Sequence, residues 1–202
     1  MPADMPHISE NDLIRNHIFL APNGEYRRHL VKLCELCVEH EKKVLLMTQN
    51  QMSLPGTLKK PRSLVHMERW MSIALKDIES APRRIIELYD CQPRPDLIIF
   101  DMHSIVAELI GRPVLQQCSR KTLVRHVAKC AAAFCNYLEM VHVSKQKHNR
   151  NAVDAIVIMP TETYPLTPAQ FKLLIGLYFS GNELYTNFSA LSERIRLSQG
   201  LH

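Results

Sequence analysis

Long apolar runs are missing from this 202-residue chain. None approaches the roughly 18 residues that cross a bilayer as a helix, which excludes a spanning-helix protein. Glycine is scarce, at six residues, so a collagen-like repeat is excluded. A hydrophobic fraction of 46% with 22% charged residues excludes a disordered chain. Residues 1–12 are polar and acidic, lacking both the apolar core of a secretory signal and the Arg-rich character of a transit peptide. The expectation is a reducing compartment, where six cysteines do not imply three disulfides.

Those cysteines stand at 34, 37, 91, 118, 130 and 135. Cys34 and Cys37 form a CxxC, but no second ligand pair follows at zinc-site spacing. The surrounding LVKLCELCVEH reads as a helix interior. The cysteines are therefore expected to be small buried apolar residues, with no metal site.

Acidic residues are nearly absent from one region. Residues 111–150 carry eight basic side chains and one acidic one, net +7. The segments on either side, 1–110 and 151–202, are each net −1, so the formal +5 of the chain sits in one stretch. Such segregation points to an anionic partner at one place on the surface, against the alternative of a solvated helix face.

Four short, continuous apolar runs predict strands: His17–Leu20, Val44–Thr48, Leu97–Asp101 and Ala155–Met159. Continuous rather than alternating runs suit strands buried on both faces, as in a parallel sheet. Helical spacing separates them at Tyr26–His40, at Pro82–Cys91 behind a Ser80 cap, and at Thr122–Val143. Asn50–Ser63 and Ser144–Asn151 read as loops, the latter having no apolar residue. Thr167–Pro168 looks like a helix start, Gln170–Phe179 a helix, and Leu184–Phe188 an edge strand. The alternation predicts one α/β domain over residues 1–202, with an N-terminal segment 1–16 and a C-terminal helix/strand extension 161–202.

The first strand runs into FLAPNGEYRRHL just before a helix, where phosphate-binding loops of the form GxxxxGK[ST] occur. Against that form, Ala21 replaces the first Gly, Tyr26 the second, Arg27 the Lys and Arg28 the Ser/Thr, leaving Gly24 as the loop glycine. Arg28 cannot ligate magnesium, and a guanidinium is not an ammonium in so tight a cradle. LIIFD ends in Asp101, where a second nucleotide motif carries the carboxylate that orients Mg²⁺ or its water; a loop-capping Asp is the plainer alternative.

The order of strand, loop, helix, strand, variable helical region, LIIFD strand, long helix and strand resembles the RecA-like recombinase core. Where that family has a water-activating Glu after its second strand, this chain reads Met47-Thr48-Gln49. Through VLLMTQNQMSLP, APRRIIELYDCQPRPDLIIFD and the basic segment before AIVIMP, residues 17–160 are similar to the small divergent recombinase paralogue that partners a SWIM-domain protein in Shu-type complexes. The resemblance implies a RecA-like core with a largely parallel sheet flanked by helices. It also implies an accessory role in homologous recombination, single-stranded DNA binding, a SWIM-domain zinc protein as heterodimer partner, a recombinase as a further partner, and a nuclear location. Gly24, Arg27, Arg28 and Asp101 are then a vestigial nucleotide site, with no catalytic residue and no bound ATP or magnesium. The candidate DNA contacts are Lys121, Arg125 and Lys129, spaced i, i+4, i+8 on one helix face, and Lys145, Lys147 and Arg150 in the following loop. No aromatic residue interleaves with the loop cations. Two other readings compete: a working ATPase of the recombinase family, and a RecA-like inactive assembly subunit of an RNA-related, Elongator-like complex. Trp70, the lone tryptophan, is expected in the core.

Overall fold

A computed structural model describes residues 14–52, 68–90, 94–111, 119–147, 152–161, 166–179 and 182–201. The elements among them are β1 (Ile14–Ala21), α1 (Tyr26–Glu39), β2 (Val44–Thr48), β3 (Trp70–Ala74), α2 (Ala81–Glu87) with a 3₁₀ turn (Leu88–Asp90), β4 (Leu97–Asp101), α3 (Met102–Gly111), α4 (Arg120–Lys147), β5 (Val153–Pro160), α5 (Pro168–Tyr178), β6 (Glu183–Tyr185) and α6 (Phe188–Gln199). The six strands form one sheet in the order β3-β2-β4-β5-β1-β6. Every pairing is parallel. The expected α/β class with a largely parallel, helix-flanked sheet is therefore present.

The continuous runs form strands because both sides of the sheet are covered. All five residues of β2 and all five of β4 are buried. Alternate residues then serve two cores. On one face Leu46, Leu97, Ile99, Ile156 and Ile158 meet Leu30, Leu33, Cys34 and Cys37 of α1 and Leu191 and Ile195 of α6. On the other, Leu45, Met47, Ile98, Phe100 and Val157 meet Ile85 of α2, Ile105 of α3, Leu174 of α5 and the Leu123/Val127/Phe134 stripe of α4. Phe100 stacks on Phe134 at 4.7 Å between ring centroids. Each such buried side chain contributes about 1.5–3 kcal/mol by leaving water.

Three expectations change. Ser80 does not cap α2 through its side chain; its backbone N and Oγ instead donate to Asp77, 2.7 Å each. The strand expected at Leu184–Phe188 ends at Tyr185, and Phe188 opens α6 behind an Asn187 cap that accepts from Ser189 N at 2.8 Å. The helix expected to stop at Val143 continues to Lys147. By contrast, Thr167 caps α5 in a capping box with Gln170, as its sequence suggests. Trp70, on the edge strand β3, is half-buried and packs against the α1/α6 core, as expected.

The helices leaving β1 and β4 take opposite faces: α1 lies in one core, α3 and α4 in the other. In open α/β sheets a ligand crevice forms outside the carboxyl ends of strands where the helices diverge in this way. Here that end is built from the segment after Ala21, the β4–α3 corner at Asp101, and the ends of β2 and β5.

Candidate nucleotide crevice and nucleic-acid interface

The segment after β1 is a tight turn. Glu25 N donates to Asn23 Oδ1 at 3.0 Å, and Arg27 N to Gly24 O at 3.2 Å. Gly24 has no positive φ, and a Cβ added there would meet nothing within 4 Å. Its backbone therefore does not require glycine. Arg27 and Arg28 are both exposed.

Tyr26 is the residue of this segment that turns inward. It is buried at 4% exposure, packs edge-on against Phe19, and lies T-shaped to the His103 ring. Its hydroxyl donates to Asp101 Oδ1 at 2.7 Å and lies 3.4 Å from His103 Nδ1. Burial, then the Asp101 charge, pushes the phenol well above its ordinary range, so it stays a neutral donor. The nearby positive charge of Arg27 opposes that rise but does not outweigh it.

Asp101 itself is 1% exposed. Besides Tyr26, it accepts Ser104 N at 3.0 Å on Oδ1 and Thr48 Oγ1 at 3.3 Å on Oδ2. Thr48 Oγ1 and Ser104 Oγ lie 3.0 Å apart, and Gln49 N donates to Ser104 Oγ at 3.1 Å. Asp101 therefore ties the ends of β2 and β4 to the starts of α1 and α3. The Gln49 side chain accepts from Asn50 Nδ2 at 2.8 Å and is turned to its neighbour.

A magnesium-bound nucleotide is what a loop and a carboxylate at this place would hold, and the residues present do not fit it. Magnesium demands near-octahedral oxygen ligation. The carboxylate expected to face it instead accepts from a phenol, a threonine and a backbone amide. Neither Arg27 nor Arg28 supplies an oxygen. Of the four vestigial-site residues, Asp101 is the centre of this cluster and the Arg27 charge acts on it from outside the hydrogen-bond set. Gly24 and Arg28 play no part in that cluster. Sequence reading placed Tyr26 only where the second loop glycine would stand.

The candidate DNA-binding residues divide. Lys121, Arg125 and Lys129 are all exposed, one turn apart on the outer face of α4. With about 1.5 Å rise per residue, they span about 12 Å along the helix. Leu123, Val127 and Phe134 on the opposite side are buried. None of the three cations has an ion-pair partner among the described residues. The neighbouring surface does not extend the stripe: Arg83 pairs with Glu87 at 3.0 Å, and His126 lies 3.8 Å from Glu79.

Lys145 is a correction. It is 2% exposed, and its ammonium donates to Asp96 Oδ1 at 3.2 Å. The segment has no apolar residue, yet α4 continues through it, because Lys145 falls one turn after Val141 on the buried side. There its methylene stem packs inward while its charge finds Asp96. Arg94 Nη1 fastens the same turn by donating to Ser144 O at 2.9 Å. The basic loop expected at Ser144–Asn151 is therefore helix through Lys147, and Lys145 faces away from any surface ligand. Lys147 lies in the last turn of the helix, and Arg150 lies outside the described residues.

Sequence reading did not single out a second buried carboxylate. Asp154 of β5 is fully buried and accepts from Arg15 Nη2 at 2.9 Å, Ser198 Oγ at 2.8 Å and Gln199 Nε2, with His17 Nε2 3.0 Å away. Burial alone would raise its carboxyl; His17, Arg15, Gln199 and Ser198 outweigh that and hold it below the usual carboxylate range. Four cysteines are described, and burial pushes Cys37, Cys130 and Cys135 each up to about 12 and Cys34 well above its ordinary value. That inert character is what was expected of them; Cys91 and Cys118 lie outside the described residues.

No family model matches the chain, and no curated protein matches it. Among solved structures it is similar to the crystal structure of the RadB recombinase, at 12% sequence identity and a TM-score of 0.44, with 72% of this chain and 61% of that chain covered.

Proposed function

We propose that this chain is a non-catalytic RecA-like accessory factor in homologous recombination, which binds single-stranded DNA and pairs with a SWIM-domain zinc protein in the nucleus. The observation that carries the nucleic-acid part is the stripe of Lys121, Arg125 and Lys129: three exposed cations without ion-pair partners among the described residues, on a helix whose segment holds the chain's whole positive excess. Cations spaced about 6 Å apart along a helix meet successive phosphates of an extended strand, and their contribution is counterion release. The non-catalytic part is supported by the Asp101 cluster, whose carboxylate is engaged by Tyr26, Thr48 and Ser104. The partner and the location rest on the sequence resemblance.

The test is titration of a fluorescent single-stranded oligonucleotide at several salt concentrations. Replacing Lys121, Arg125 and Lys129 together by Ala is expected to reduce the slope of log K against log salt by about 2, since each single-strand phosphate contact contributes roughly 0.7. An unchanged slope sinks the interface. Stronger binding to an RNA strand of the same sequence would move the chain to the RNA-related alternative.

A further inference from the structure

The crevice at the carboxyl ends of the strands holds a closed set of internal bonds. Tyr26 comes from the first turn of α1, Thr48 from the end of β2, and Ser104 from the start of α3, and all three converge on Asp101 of β4. A buried carboxylate this deep must be paired or hydrogen-bonded. In a nucleotide-binding sheet the missing partner at this corner is a hydrated cation carried in by phosphates. Here a phenol hydroxyl donates at 2.7 Å in its place.

We propose that Tyr26 makes this crevice self-liganded: its hydroxyl replaces the metal and phosphate that would otherwise hold the Asp101 corner, so the chain folds and presents its surfaces without a nucleotide or a divalent cation. This rests on reading the crevice as a former nucleotide site. It goes further, because a merely degenerate loop would lose its ligand and leave the carboxylate to Thr48 and Ser104 alone. Tyr26 instead fastens the start of α1 to the β4–α3 corner. The phenol is also wedged between Phe19 and His103, so its ring fills the approach to the carboxylate. The guanidinium beside it opposes a divalent cation by like charge.

The proposal is tested on the whole chain without DNA, so that its failure is separable from failure of the DNA interface. For the wild type, thermal melting in the presence of millimolar MgCl₂, then MgATP, is expected to leave the midpoint unchanged. A midpoint that climbs with MgATP but not with ATP in EDTA overturns the proposal. A double-mutant cycle of Tyr26→Phe, Asp101→Asn and the pair together, read by urea unfolding, is expected to be non-additive by about tenfold or more in the unfolding equilibrium constant, the size of a hydrogen bond to a charged group. Additivity overturns it too. If a variant does not fold, the wild-type melting comparison still decides.

Discussion

Two buried carboxylates sit at opposite ends of neighbouring strands, Asp101 at the carboxyl end of β4 and Asp154 near the amino end of β5, and they are satisfied in different currencies. Asp154 is held by the Arg15 charge at 2.9 Å and by hydrogen bonds from His17 at 3.0 Å, Ser198 and Gln199. Asp101 is held by a phenol, a threonine hydroxyl and a backbone amide. The first cluster ties β1 and β5 to the C-terminal helix α6 and looks like architecture alone. The second lies where α/β sheets bind ligands, and its donors stand in the way of one. Burial by itself thus does not mark a functional carboxylate; what the donors displace does.

The sharpest way to break the comparison is to delete the charged centre. Asp154→Ala strips the acceptor from buried His17 and the charge partner from half-buried Arg15, and is expected to cost about 3–5 kcal/mol, measured as the shift in urea unfolding free energy. A loss below about 1 kcal/mol would mean that the two clusters are not different in kind.

Acid gives a smaller and graded version of the same deletion. Asp154 is held below its ordinary range, so its contribution is fully present above the unfolded carboxylate value of about 3.9 and is lost as pH falls through the depressed folded value. Glu183 behaves in the same direction: burial would raise it, but the Tyr185 hydroxyl, Arg194 and His17 outweigh that. Unfolding free energy is therefore expected to fall as pH drops below about 4, and to fall less steeply in Asp154→Asn. Equal slopes in the two proteins would remove Asp154 as the titrating centre.

Much of the frame was legible because the physics was local. β2 and β4 match the expected Val44–Thr48 and Leu97–Asp101 to the residue, since a strand buried on both faces must be continuously apolar. β3 escaped because an edge strand needs no such run: WMSIA carries Ser72 at its centre, and all five residues are half-buried. α6 was readable but unread, since Phe188, Leu191 and Ile195 step by three and four behind Asn187. The crevice was half legible. The departures from a phosphate-loop pattern are in the sequence, but the bond from Tyr26 to Asp101 spans 75 residues, and no spacing rule encodes it.

The long helix α4 holds the closest comparison, because Lys129 and Lys145 have the same chemistry and differ only in phase. Lys129 is one and two turns beyond Arg125 and Lys121 on the outer face, whereas Lys145 follows Val141 on the buried side and pairs with Asp96 across a boundary where it is 2% exposed and Asp96 is 27% exposed. Lys145→Ala is expected to lose about 1–2 kcal/mol of stability, because it strips a partner from Asp96 and packing from the helix end, and to leave the salt slope of oligonucleotide binding unchanged. Lys129→Ala is expected to do the converse: stability within about 0.5 kcal/mol of wild type, as for an exposed surface site, and a salt slope reduced by about 0.7. If Lys145→Ala flattened the slope while Lys129→Ala did not, the anionic strand would run along the other side of the helix, and the outer stripe would be a solvated face after all.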